Sequence, residues 1–171
     1  YNLPIGAENS FRGVVDLLTR TAYVWQGDET GAKFVEAPEV AEEMKDEIEK
    51  HRQILIEKIA ETDDALMQKF LDGAEMSVEE LKKALRAAVI AYKIVPVLAG
   101  SSLRNKGVQI LLDAVIDYLP SPVDVNHVTG TDPVTGEETT RMTVNDEAFS
   151  GLAFKIQVDP YVGKLTYVRV Y

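Results

Sequence analysis

Apolar positions change their spacing three times along the chain, and each change predicts a change of structure. From Leu3 to about Pro38 the spacing is that of strands. Val14–Leu18 and Thr21–Trp25 are rich in β-branched and aromatic residues, and Lys33-Phe34-Val35 reads as a third short strand after a turn marked by Gly27, Asp28 and Gly31. Pro4 and Gly6 read as the point where the chain enters this sheet. From Glu39 to about Tyr92 the period is helical: Met44, Ile48, Leu55 and Ile59 share one face of a first helix that opens at Pro38. Thr62-Asp63-Asp64 breaks that helix and supplies a cap for the next, which carries Leu66, Phe70 and Leu71 and ends at Gly73. Ser77-Val78-Glu79-Glu80 has the spacing of a capping box and opens a third helix with Leu81, Leu85 and Ala88 inward.

The third stretch predicts a strand, a loop and a helix. Ile94–Leu98 is a short apolar run closing at Gly100. Because Pro96 has no amide hydrogen, that strand belongs at an edge or a bulge. A helix follows from about Gly107 to Tyr118 with Val108, Leu111, Leu112, Val115 and Ile116 as its apolar face. Pro120 and Pro122 predict its end and a stiff linker. The fourth stretch returns to strands: a turn at Asp132–Gly136, a polar strand over Glu137–Thr143, then Leu152–Val158 and Lys164–Tyr171. Since the alternation is still running at Tyr171, and three strands rarely make a stable barrel alone, the pattern predicts that the natural chain continues. The fold class that emerges is α+β.

Composition narrows the chemistry. At 171 residues and 46% apolar content the chain is long enough for a genuine core. It has no cysteine, which removes disulfides, thiolate metal sites and cysteine nucleophiles. No apolar run approaches the roughly 18 residues of a membrane span, and the N-terminus lacks a basic-then-apolar leader, so the expectation is a soluble, cytoplasmic protein with no membrane partner. A net charge of −10 makes the chain a poor general binder of polyanions and points to basic protein surfaces as partners.

The acids concentrate on the first helix, where Glu39–Asp64 holds ten acidic residues against four basic ones. Glu42, Asp46 and Glu49, and likewise Glu43 and Glu47, fall at spacings that share helical faces. A solvated outer face explains such a run, and so does a docking surface. Glu47 and His51 lie one turn apart but lack a third metal ligand nearby. His127 stands alone in a linker. Trp25 and Tyr23 read as sheet packing, because Arg20 and Lys33 are too few to make a basic track for nucleic acid.

Four strings, taken in order, resemble the elongation factor G family of translational GTPases. Leu3-Pro4-Ile5-Gly6 with Phe11–Asp16 resembles the start of its G′ insertion. Ala99-Gly100-Ser101-Ser102-Leu103-Arg104-Asn105-Lys106-Gly107-Val108-Gln109 resembles its last guanine-nucleotide motif. Asp117–Pro122 resembles the close of its GTPase domain, and Leu152–Ile156 with Asp159–Thr166 the β-barrel second domain. The resemblance implies a layout: residues 1–92 as the G′ subdomain, 93–122 as the last strand and helix of a P-loop GTPase domain with linker, and 123–171 as an incomplete barrel domain II. It also implies a ribosomal translocase, active in protein biosynthesis, as the parent. Relatives with the same layout, acting in recycling, ribosomal protection or termination, share the strings in part. A stand-alone acidic protein-binding module without a nucleotide role is the reading from another class.

In that family the Gly100-Ser101-Ser102-Leu103 loop would lay backbone amides near guanine O6, with Ser102 in place of the usual Ala. On the residues alone, the same stretch also reads as an ordinary strand-to-helix turn with Ser or Asn as N-cap. The rest of a GTP site is missing. There is no Gly-x-x-x-x-Gly-Lys-Ser/Thr, no Asp-x-x-Gly for the metal side of the γ-phosphate, and Val108 stands where Asn-Lys-x-Asp would have its acid. GTP or GDP and Mg²⁺ are therefore expected in a longer parent and not in this piece, which should have no catalytic residues and no activity alone. The resemblance further implies that Glu42, Glu43, Asp46 and Glu47 meet the ribosomal stalk protein. It implies too that Lys155, Lys164 and Arg169 approach ribosomal RNA in the parent. Arg104 and Lys106 form a small basic pair beside the nucleotide loop.

Overall fold

The computed structural model describes residues 1–27, 30–132 and 134–171. Asp28 of the first predicted turn and Pro133 of the last lie outside the described residues. The chain is mixed α+β and divides into two compact units, Tyr1–Leu119 and Pro120–Tyr171.

The first unit opens with an antiparallel meander of four strands in sequence order: β1 (Asn2–Ile5), β2 (Gly13–Asp16), β3 (Thr21–Trp25) and β4 (Phe34–Glu36). Leu3 pairs with Val15, Val15 with Ala22, and Val24 with Val35. Where the sequence pattern placed only an entry at Pro4, the structure has a full strand. A proline is compatible with it because β1 is an edge. β2 ends where the Asp16 Oδ1 accepts from the amides of Leu18 (2.7 Å) and Thr19 (3.2 Å), turning the chain into β3.

The single first helix of the sequence reading is two: α1 (Pro38–Glu43) and α2 (Lys45–Ala60). Met44 leaves helical dihedrals (φ −98°, ψ 9°), although its amide still donates to Val40 O and its carbonyl accepts from Ile48. The helix is thus interrupted at Met44 while these two bonds still link its flanks. α3 (Asp64–Leu71) is capped by Asp63, whose Oδ1 accepts from the Leu66 amide at 3.0 Å, and the chain leaves it through Gly73 at φ +68°. α4 (Val78–Ile90) has the reciprocal Ser77–Glu80 capping box. α5 (Val108–Tyr118) follows Gly107, which sits at φ +87°.

Two clusters of buried side chains hold this unit. Val15, Ala22 and Val24 of the sheet meet Val40 and Ile48 in one. Leu18, Ile59, Leu81, Leu85, Ala114 and Tyr118 meet in the other. α2 joins them, with Ile48 in the first, Ile59 in the second and Leu55 packed against both.

Two expectations change in the third stretch. Ile94–Leu98 pairs with no strand among the described residues. α5 buries Ala114 and Tyr118 instead of the predicted face, leaving Leu111, Leu112, Val115 and Ile116 largely exposed. Ala114 and Tyr118 are the residues turned toward α4. From that helix Lys82 bonds Asp117 at 2.9 Å, and Arg86 donates to the carbonyl of Asp117 at 2.8 Å.

The second unit begins with a short helix, α6 (Pro122–Val125), where the prolines predict a stiff linker. It continues with two separate hairpins: β5 (His127–Thr131) with β6 (Glu138–Met142), and β7 (Gly151–Asp159) with β8 (Gly163–Val170). The β7–β8 turn is fixed by the Asp159 carboxylate, which accepts from the amides of Tyr161 and Val162, and by Gly163 at φ +81°. Leu152, Phe154, Ile156 and Val158 of β7 are all more than half exposed. No described helix is long and apolar enough to cross a membrane.

A backbone loop and an acidic helix pair as the candidate site

The loop at 99–107 is closed by its own backbone. The Ser101 amide donates to Lys106 O at 2.8 Å and the Lys106 amide returns a bond to Ser101 O at 3.0 Å. Between them the chain turns tightly: the Arg104 amide bonds Ser101 O, the Asn105 amide bonds Ser102 O, and Asn105 itself adopts φ +52°. Gly107 is needed at the base. It is left-handed and buried, and a Cβ there would lie 3.2 Å from both Ala99 O and Gly100 Cα.

The four predicted contact residues divide by role. Ser101 is half-buried with its amide committed inside the loop, whereas Gly100, Ser102 and Leu103 are exposed. Among the described residues the amides of Ser102 and Leu103 have no partner. Beside them is a cavity of about 200 Å³ bounded by Leu98, Ser101, Ser102, Lys106, Val108 and Leu111. Of the basic pair, Arg104 is exposed, while Lys106 turns its Nζ to the carbonyl of Phe11 at 3.2 Å.

Residues far away in sequence hold the loop in place. Asn2 Oδ1 accepts from the Ala99 amide at 2.7 Å, and Gln109 Nε2 donates to Gly31 O at 2.9 Å. Sequence pattern assigns nothing to Asn2, offers Gln109 only as the last residue of the motif string, and marks Gly31 only as a turn. Nothing in local spacing announces pairings across most of a domain.

The donor set fits a limited ligand. Two neighbouring free amides on a rigid loop can receive one carbonyl edge of a purine. They cannot hold a triphosphate or a magnesium ion, and the motifs that would do so are missing from the sequence. What the loop offers chemically is two adjacent backbone donors for one acceptor edge of a ligand.

The acidic surface is less uniform than its sequence. Glu42 and Glu43 lie on α1, Asp46 and Glu47 on α2, all exposed and on opposite sides of the break at Met44. Glu42 is paired with Lys45 at 3.1 Å, and Glu49 with Arg20 at 2.5 Å, which lowers the Glu49 carboxyl below its ordinary value. Glu43, Asp46 and Glu47 have no ion-pair partner among the described residues. Glu42 also borders a cleft of about 300 Å³ between α1, α2 and the β3–β4 pair, with Arg20 and Lys45 on its rim.

Trp25 is buried in the sheet, with its ring 5.2 Å from that of Phe34, so it offers no free stacking face. No three His, Cys, Asp or Glu side chains converge among the described residues.

No protein-family model matches the sequence. Among solved structures, the chain is similar to a protein of Thermus thermophilus known from a crystal structure. The identity is 30% and the TM-score 0.70, and the match covers 99% of this chain and 22% of that one. The chain thus spans about a fifth of the length of that relative.

Proposed function

We propose that this chain is a piece of a translational GTPase of the elongation factor G type, acting on the ribosome in the cytoplasm. In this reading Tyr1 to about Tyr92 forms the G′ insertion, 93–122 closes the GTPase domain, and 123–171 begins domain II. The observation that carries the reading is the Ala99–Gln109 string. Its residues form a loop closed by its own backbone, in which the exposed Ser102 and Leu103 keep amides without partners among the described residues, and such donors suit a guanine O6. The order of the other three strings supports it, and so does similarity along nearly the whole chain to a much longer protein.

GTP or GDP, with Mg²⁺, would be held mostly by residues of the longer parent. When bound, the nucleotide supplies the hydrolysable phosphate. The residues present here select the base through the Ser102 and Leu103 amides. The uncompensated acids Glu43, Asp46 and Glu47, with Glu42, offer a surface for a basic partner, the ribosomal stalk protein. Contact of domain II with ribosomal RNA belongs to the parent.

Calorimetry tests the division of labour. The chain alone should bind GTP and GDP no tighter than the millimolar range, favour GDP over ADP, and hydrolyse nothing. Micromolar affinity, or equal affinity for GDP and ADP, would contradict the proposal.

A further inference from the structure

Gly31, between β3 and β4, is where the sheet meets the 99–107 loop. Its φ of +65° lies in the region that favours glycine, and the space beside it is already filled. A Cβ there would lie 2.5 Å from Asn105 O and 2.6 Å from Arg104 O, both backbone atoms. The carbonyl of the same residue accepts two hydrogen bonds from two different elements. Trp25 Nε1, buried in β3, donates at 3.1 Å, and Gln109 Nε2, in the first turn of α5, donates at 2.9 Å. A single peptide unit therefore ties a strand, a helix and the outer rim of the loop together. On the far side of the loop, Lys106 Nζ on Phe11 O and Asn2 Oδ1 on the Ala99 amide complete the brace.

We propose that Gly31 is a positioning residue for the base-contact loop, setting where the Ser102 and Leu103 amides point; this rests on the nucleotide reading of that loop. The carbonyls of Arg104 and Asn105 abut Gly31 directly, so any side chain there must push the 101–106 turn outward. The Ser101–Lys106 pair, which aims the two free amides, would be the first bond to yield. Gly31 touches no nucleotide in this account and acts only through the loop.

Amide hydrogen exchange on the whole 171-residue chain reads the brace, and GDP-induced amide shifts read its consequence. Gly31→Ala should speed exchange at Ser101 and Lys106 by about tenfold, because local opening becomes easier while the core stays closed. Gly27→Ala is the control. Gly27 has the same φ of +65° with open space around it, so it carries the backbone strain without the collision. Exchange at Leu85 in α4 reports whether the fold is intact. Gln109→Leu keeps side-chain volume and removes one donor to Gly31, and should speed the same two amides by about threefold. It carries the test if Gly31→Ala fails to fold. Both variants should also raise, by about threefold or more, the GDP concentration that half-saturates the Ser102 and Leu103 shifts.

Unchanged exchange at Ser101 and Lys106 in the folded variants would overturn the proposal. So would an unchanged GDP response in variants of a chain that does respond. If the unaltered chain shows no GDP shift at Ser102 or Leu103, the nucleotide reading fails, and with it the role proposed for Gly31.

Discussion

Arg52 sits in the middle of α2 with only 5% of its surface exposed, and its Nη1 donates to the carbonyls of Leu17 (2.8 Å) and Leu18 (2.9 Å). Those carbonyls lie in the turn just after β2, so one guanidinium fastens the helix to the sheet corner. Its Nε is buried without a partner among the described residues, and burial draws its pKa below the ordinary value, with the Arg20 charge adding to the effect. Arg52→Met keeps the stem and deletes both bonds. The expected loss is about 2–4 kcal/mol by urea denaturation, because two carbonyls lose their donor where water reaches poorly. Glu80 works in the opposite sense. The Lys69 ammonium, and then the Ser77 amide and hydroxyl, pull its carboxyl from 4.5 down to about 2. Since the folded value lies below the unfolded one, its contribution to stability is complete above about pH 4.5 and is lost as pH falls toward 2. A carboxyl-carbon NMR titration should place the Glu80 midpoint near 2, and Lys69→Ala should raise it.

At the scale of elements, α4 and α5 show how burial and pattern diverge. Leu85 is 1% exposed at the centre of the second cluster, so Leu85→Ala should cost about 2–5 kcal/mol. Ile116, on the face of α5 that the sequence marked as apolar, is 74% exposed. Ile116→Ser should change the stability of this chain by no more than about 0.5 kcal/mol, read in the same urea titration. The helical period of α5 was legible, but what covers its face was not. Periodicity reveals that an apolar stripe exists, while its partner is chosen by tertiary contacts. The same limit applies to Ile94–Leu98, an apolar run with strand-like residues that joins no sheet among the described residues, although Val97 O accepts from the Tyr1 amine. Caps were read well, because Asp63 and the Ser77–Glu80 box act within three residues of themselves. The break at Met44 was not, since Glu43-Met44-Lys45 contains neither glycine nor proline.

That break bears on the acidic surface. Glu42 and Glu43 belong to one axis, Asp46 and Glu47 to another, and only Glu42 of the four is paired with a lysine. If the proposed docking of the ribosomal stalk protein holds, reversing all four to Lys should slow that association by about tenfold at low salt, with the difference shrinking as salt is raised. Stopped-flow rates that match the unaltered chain would count against the surface.

Across the whole molecule the two units differ in how they are held. Tyr1–Leu119 has both buried clusters, so residues 1–119 alone should unfold at nearly the urea midpoint of the same region in the full chain. Pro120–Tyr171 is built of two two-stranded ladders, a form that is marginal in water, and its β7–β8 amides should exchange much faster than those of α4. The α+β class and most helices followed from the order of apolar spacings. The 99–107 loop is singled out by one string, and which of its amides lack a partner follows from no spacing at all. The brace that fixes it joins Asn2, Gly31 and Gln109, whose partnership only the folded chain reveals.

The central claim is that the Ser102 and Leu103 amides read a guanine O6. The direct test is an amide-resolved NMR titration of this chain with GDP, set against 2-aminopurine riboside diphosphate, which lacks that oxygen and, with it, the N1 proton. Shifts centred on Ser102 and Leu103 should saturate in the millimolar range with GDP and be largely lost with the analogue. Equal shifts with both ligands, or none at these two amides with GDP, would contradict it.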